Sequence, residues 1–256
     1  MLTTEQIRTF GHAGFVVLRS FVGESLLAEL DEEVDDLITR KPAPVDKVGF
    51  HHYFEPIPTL PVADRVLRDS GVLAAAGGLV APLAIDHAFD HIQVATSIYG
   101  WDHVPGGGHV DGYGIPDQTE PFSFTVLAGI FLGDESEARR GNLWVWPGSH
   151  FTHQRLFRER GVDALMAPAS LGGHACLLDD APAFGCGEPV LARRGDVILA
   201  HYLLAHNQSG NLWSPLRRIV YYRLAAEGHR GRWAATHTDV LREYGPVRAA
   251  LRSVEP

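Results

Sequence analysis

Residues His91-Ile-Gln-Val-Ala-Thr-Ser-Ile-Tyr99 form a short, β-branched, apolar run without helical period, and from here on the texture of the chain changes. Similar runs follow: Phe122-Ser-Phe-Thr-Val-Leu-Ala-Gly-Ile-Phe-Leu132, Leu143-Trp-Val-Trp146, Val197-Ile-Leu-Ala200 and Arg218-Ile-Val-Tyr-Tyr-Arg-Leu224. Glycine and proline punctuate the gaps between them. Many short strands separated by turn signals predict a mainly β core, a sandwich or jelly roll, with flanking helices.

Upstream the chain reads as helical. Thr3 and Gln6 have the spacing of a capping box. Leu26, Leu27, Leu30, Val34, Leu37 and Ile38 fall on one helical face, and Lys41-Pro42 ends that helix. Phe15-Val-Val-Leu18 has the composition of a short strand. Residues 41–61 read as a Pro- and aromatic-rich connection containing His51-His-Tyr-Phe54, with 48–58 a candidate lid. A helix over about 62–79 is weakened by Gly71, Gly77 and Gly78. There is no internal repeat and no linker. The expected organisation is a single domain, 1–256: a mostly helical N-terminal region (residues 1–87) packing on a core (88–225), an insertion (151–193), and a C-terminal extension (226–256).

Composition narrows the function. The chain of 256 residues is 45% hydrophobic and 21% charged, ordinary for a globular protein. It carries 31 acidic residues against 22 Lys and Arg, a formal charge of −9, which opposes binding to nucleic acid or anionic lipid. Cys176 and Cys186 have neither zinc-knuckle nor redox-motif spacing and read as free thiols. The N-terminus lacks a basic segment followed by an apolar one, and the apolar stretch 71–85 is too short and broken to span a bilayer. A cytoplasmic enzyme or binding protein is the expectation.

The chemistry concentrates in Gly106-Gly-Gly-His-Val-Asp-Gly-Tyr-Gly114. On a strand, His109 and Asp111 would share a face. An H-x-D pair alone says little in a chain with 14 histidines. The second piece is Leu203-Leu-Ala-His-Asn-Gln-Ser-Gly-Asn211, where His206 follows an apolar strand. Two imidazoles and one carboxylate with open positions suit non-haem Fe(II). The third piece is Pro215-Leu-Arg-Arg-Ile-Val-Tyr-Tyr-Arg223. A guanidinium inside a barrel needs an anion, and arginine holds carboxylates bidentately. Alternation groups Arg217 with Ile219 and Tyr221, and Arg218 with Val220 and Tyr222; the pattern does not choose between them.

These segments resemble the phytanoyl-CoA dioxygenase-like family of Fe(II)/2-oxoglutarate-dependent oxygenases. The resemblance rests on Gly14-Phe-Val-Val-Leu18, Gly108-His-Val-Asp111, Gly141-Asn-Leu-Trp-Val-Trp-Pro-Gly-Ser-His150, and His206 followed by Ser209, Asn211 and Arg217. It implies a double-stranded β-helix enclosing iron, with His109, Asp111 and His206 as ligands. Arg217 would hold the distal carboxylate of 2-oxoglutarate, with Gln93 and Ser209 near the co-substrate. The implied reaction consumes O2, releases succinate and CO2, and oxidises a C–H bond of a small organic substrate. Family members that halogenate lack the carboxylate ligand, so Asp111 favours hydroxylation or another ordinary oxidation over halogenation.

Other polar residues have plainer readings. Trp144 and Trp146 face one side of their run, and at least one belongs to the core. His150 suits a turn or supporting role. His51 and His52 are adjacent and diverge on extended chain, which makes joint chelation poor. Two rival functions remain: a non-catalytic jelly-roll protein binding a ligand or metal, and a cupin-like metalloenzyme that does not use 2-oxoglutarate. Neither needs a buried arginine after His206. Substrate identity and oligomeric state are not written in these motifs.

Overall fold

The computed structural model describes residues 1–113, 120–165 and 183–253. Much of the expected 151–193 insertion, including Cys176, lies outside these residues.

α1 (Thr4–Ala13) carries the expected capping box: the Thr3 amide donates to Gln6 Oε1 at 2.8 Å and the Gln6 amide to Thr3 Oγ1 at 3.2 Å. β1 (Phe15–Leu18) leads to α2 (Glu24–Arg40), which buries Leu27, Leu30, Val34 and Leu37. The helix expected over 62–79 is two, α3 (Pro61–Asp69) and α4 (Val72–Val80). Gly71 between them takes φ +84°, which no helix interior accommodates. A second departure is β2 (Gly49–Pro56), a full strand where the sequence reads as a connection. The N-terminal region therefore supplies strands to the sheet as well as its helical cover.

The remaining strands are β3 (Ile85–His87), β4 (His91–Ile98), β5 (Val126–Phe131), β6 (Leu143–Val145), β7 (Glu188–Pro189), β8 (Val197–His201), β9 (His206–Gln208) and β10 (Arg217–Ala226). α5 (Ser149–Arg160) falls between β6 and β7; α6 (Trp233–Thr238) and α7 (Gly245–Arg252) follow β10. The larger sheet has the order β1-β8-β5-β10-β4-β2, with β3 also pairing β10; the smaller is β7-β6-β9. The pairings are antiparallel. The core is thus the mainly β jelly roll with flanking helices that the strand pattern predicts.

Alternation along the strands divides two cores. Val126, Ala128 and Ile130 of β5, with Val220, Tyr222 and Leu224 of β10, pack under α1 to α4 and α7. Leu127 and Phe131, with Ile219 and Tyr221, face inward toward the smaller sheet. Each fully buried aliphatic side chain contributes about 1.5–3 kcal/mol, so register is strongly specified: a one-residue slip would exchange the two faces. α7 packs against α1 and α4, which ties the C-terminal extension to the helical layer. Among the described residues no helix is long and apolar enough to cross a membrane.

Candidate metal centre and its cavity

His206 opens β9, and its backbone pairs with His109. The His109 amide donates to the His206 carbonyl at 2.9 Å, and the His206 amide returns a bond of 3.0 Å. Ladder pairing therefore joins residues 97 positions apart and sets their ring centroids 4.6 Å apart. Asp111 is in a turn, not on the strand that the H-x-D spacing suggests. The turn brings it to the same point: Asp111 Oδ1 lies 3.5 Å from His109 Nε2 and 3.4 Å from His206 Nε2. One ligand atom from each residue fits within 4.8 Å of the others.

The donor set suits a divalent metal. His206 Nδ1–H donates to the Leu204 carbonyl at 3.0 Å, which leaves the Nε2 lone pair facing Asp111. Metal–nitrogen and metal–oxygen bonds of about 2 Å can be made from donors so placed. Two imidazoles and one carboxylate, with no thiolate, favour Fe(II) chemistry.

Asp111 is shared. Its Oδ2 accepts from Arg223 Nη2 at 2.5 Å and Nε at 3.0 Å, while Oδ1 faces the histidines. Burial disfavours the carboxylate charge, yet Arg223 and the two imidazoles hold Asp111 well below the usual carboxylate range. Burial likewise opposes charge on His206, but Asp111 raises it above its ordinary value when no metal is bound. A metal binding there competes with protonation of that imidazole.

The three residues open into a cavity of about 390 Å³ between the sheets. Phe50, His52 and Phe54, alternate residues of β2, wall one side; Arg217, Tyr221 and Arg223 of β10 line another. The segment suggested as a lid is thus a strand wall. His52 Nε2 lies 3.2 Å from Gln208 Oε1, and His51 is not among the lining residues. Arg217 and Arg223 lie six residues apart on one face, about 20 Å along the strand. The Arg223 guanidinium sits on Asp111, and that of Arg217 lines the same cavity.

Arg217 is 3% exposed. Its Nε donates to Glu135 Oε1 at 3.1 Å and its Nη2 to the Tyr221 hydroxyl at 3.3 Å. Arg218 points to the opposite face and pairs with Asp31 and Asp35 of α2. The structure therefore settles which arginine faces inward. Gly129 sits across from Tyr221 in the register, and a Cβ there would come within 2.6 Å of the Tyr221 ring. Only glycine lets that ring lie over β5.

Gln93 lines the cavity from β4. Ser209 does not: it is fully buried, and its hydroxyl is directed at the Gly210 carbonyl at 3.4 Å. Ser209, one residue past the end of β9, is thus not among the residues that line the cavity. His150 is buried on α5, its Nε2 3.3 Å from the Gly11 carbonyl, and lines no part of the cavity. Trp146 is core and Trp144 is half-buried.

A wider cleft of about 700 Å³ adjoins the cavity and shares Phe54, Asp111 and Arg223 with it. Phe89, His91 and Phe122 rim it; Phe89 and His91 stack at 5.5 Å, and Phe122 is half-exposed. Sequence reading missed Arg223, Tyr221, Glu135 and the β2 wall. Parity along β10 could have found two of them, because 217, 221 and 223 are all odd positions.

No family model matches the chain, and no curated protein matches it. Solved structures do. HygX from Streptomyces hygroscopicus, with nickel and 2-oxoglutarate bound, is 18% identical; the match covers 89% of this chain and 88% of that one, with a TM-score of 0.62. SnoN, a non-haem α-ketoglutarate-dependent epimerase from nogalamycin biosynthesis, is 17% identical, covering 86% and 82% at a TM-score of 0.63. SnoK, a carbocyclase of the same dependence and biosynthesis, is 21% identical, covering 90% of each chain at a TM-score of 0.60. The chain has the fold of these enzymes.

Proposed function

We propose that this protein is a non-haem Fe(II)- and 2-oxoglutarate-dependent dioxygenase of phytanoyl-CoA dioxygenase-like type. It oxidises a C–H bond of a small organic molecule, most simply by hydroxylation, and releases succinate and CO2. The observation that carries this reading is the cavity itself, which is lined both by the three-donor cluster and by the buried Arg217. An oxo-diacid chelating the metal would offer its distal carboxylate to that guanidinium. Glu135 already balances the charge of Arg217, so what favours this reading over metal-only binding and cupin-like hydrolysis is that the guanidinium also lines the cavity.

His109, Asp111 and His206 would hold the iron, which when bound supplies O2 activation and the oxidising power. Arg217 and Tyr221 orient the distal carboxylate of 2-oxoglutarate by charge-assisted hydrogen bonds. Gln93, opposite Tyr221 in the register, supplies an amide within the same cavity. Arg223 holds Asp111 through Oδ2, so that only Oδ1 is presented to the metal. The aromatic cleft beside Asp111 receives the substrate, and its rings exclude water from the reacting bond. Asp111 occupies the position that halogenation leaves vacant, which favours oxygen insertion. The structural neighbours include an epimerase and a carbocyclase, so the fold admits other outcomes of C–H oxidation.

The test is O2-dependent succinate formation from 2-oxoglutarate with Fe(II), across a panel of small metabolites. The reading requires that turnover be stimulated by a substrate and abolished in Asp111→Ala and His206→Ala. Turnover that persists in both variants contradicts it.

A further inference from the structure

Glu135 lies directly behind Arg217. It is 1% exposed, Arg217 is 3% exposed, and Oε1 accepts from Arg217 Nε at 3.1 Å. Its other oxygen, Oε2, is buried with no hydrogen-bond partner. Glu135 does not line the cavity, whereas Arg217 does. One guanidinium thus stands between a buried carboxylate at its back and the space for a ligand carboxylate at its front. Two carboxylates on one buried guanidinium leave an uncompensated negative charge, which a site excluded from water does not tolerate.

We infer that Glu135 is a positioning residue for Arg217 that takes up a proton when the distal carboxylate of an oxo-diacid binds, so that the site keeps a single negative partner for the guanidinium. This rests on the oxygenase reading above. The proton comes from solvent and goes to Glu135; no covalent bond to the ligand changes.

The surroundings support that assignment. From β10, Glu135 faces Arg217, and the Tyr221 hydroxyl shares the same guanidinium. Asp134, its chain neighbour, adds a negative charge but is engaged by Arg140. Its backbone pairs with that of Ala192, and the Asn142 side chain donates to its carbonyl. Arg217 is accordingly the cation that holds it ionised. Burial already raises the Glu135 carboxyl to about 7, against the lowering effect of Arg217. Dividing that guanidinium with a second anion raises it further.

Calorimetry on the Ni(II)-loaded protein tests this without turnover. 2-Oxoglutarate is titrated at pH 7 and pH 8 in buffers of differing ionisation enthalpy. A carboxyl starting near 7 and fully protonated in the complex takes up about 0.9 proton per site at pH 8 and about 0.5 at pH 7. Affinity weakens roughly fivefold over the same step. Glu135→Gln keeps an oxygen for Arg217 Nε, takes up no proton, and binds with an affinity flat across that range. Binding without proton uptake in the wild type overturns the role of Glu135 and leaves the oxygenase reading standing. Equal uptake in Glu135→Gln overturns it too. Folded, Ni(II)-loaded protein that binds no 2-oxoglutarate overturns both. The wild-type proton count decides by itself should the variant not fold.

Discussion

Arg223 and Asp111 form a close ion pair, with Nη2 2.5 Å from Oδ2, at the point where the larger sheet meets the candidate metal ligands. Both are largely buried, at 11% and 17% side-chain exposure. Removing Arg223 would leave a buried carboxylate without its counter-charge until a metal supplies one. Arg223→Met is therefore expected to destabilise the metal-free protein by about 3 kcal/mol. Ni(II) should raise the melting temperature more in the variant than in the wild type. Equal shifts would mean that the pair is energetically idle.

The two adjacent arginines of β10 should behave very differently. Arg217 faces the cavity, and Arg218 pairs with α2 at the helical face. Arg217→Ala removes a buried charge-assisted contact of about 2–5 kcal/mol, roughly thirtyfold to a few thousandfold in 2-oxoglutarate affinity. Arg218→Ala breaks partly exposed pairs worth at most about 1 kcal/mol of stability, with affinity nearly unchanged. Titration of both variants with 2-oxoglutarate in the presence of Ni(II) checks the order, and the reverse order would sink the assignment.

Gly129→Ala probes the same end of the cavity without touching charge. The added methyl meets the Tyr221 ring, so either the ring or the strand must move. A loss of about 1–3 kcal/mol in urea unfolding is expected, as for overpacked cores. Weaker 2-oxoglutarate binding should accompany it. Unchanged affinity would show that Tyr221 is not needed for the oxo-diacid.

Acid should unfold the protein through a second set of histidines, away from the cavity. Burial pushes His153 and His201 down to about 4 and His237 to about 3, and holds His150 well below its ordinary value. In the unfolded chain these groups titrate near 6.5. Between those values the unfolded state binds more protons, so stability is full above about pH 6.5 and falls toward pH 4. Each group contributes a slope of up to about 1.4 kcal/mol per pH unit. Urea melts between pH 7.5 and pH 5 measure it, and His237→Phe should flatten the slope. A stability independent of pH over that range would contradict the burial assigned to these rings.

Strand alternation made the sheet core legible, because Val126 to Phe131 and Ile219 to Tyr222 carry apolar or aromatic residues on both faces and both faces are covered. β2 escaped notice for the opposite reason. Its residues 50, 52 and 54 line an open cavity, so the strand lacks the apolar periodicity that closed packing produces. His109, Asp111 and His206 could be named from spacing and resemblance, but their convergence depends on a ladder pair and a turn. Glu135 carried no signal at all: one of three acidic residues in the loop segment Asp134–Glu137, it becomes informative only once Arg217 is seen in front of it. Ser209 is matched by motif, yet it is buried outside the residues that line the cavity.

The central claim is that one metal and one oxo-diacid meet at His109, Asp111 and His206. Anaerobic titration of the protein with Fe(II), with and without 2-oxoglutarate, tests it most directly by visible absorption. The account predicts a new charge-transfer band only when both are present, lost in His109→Ala, Asp111→Ala and His206→Ala. No band with folded wild-type protein, or a band that survives in all three variants, would contradict it.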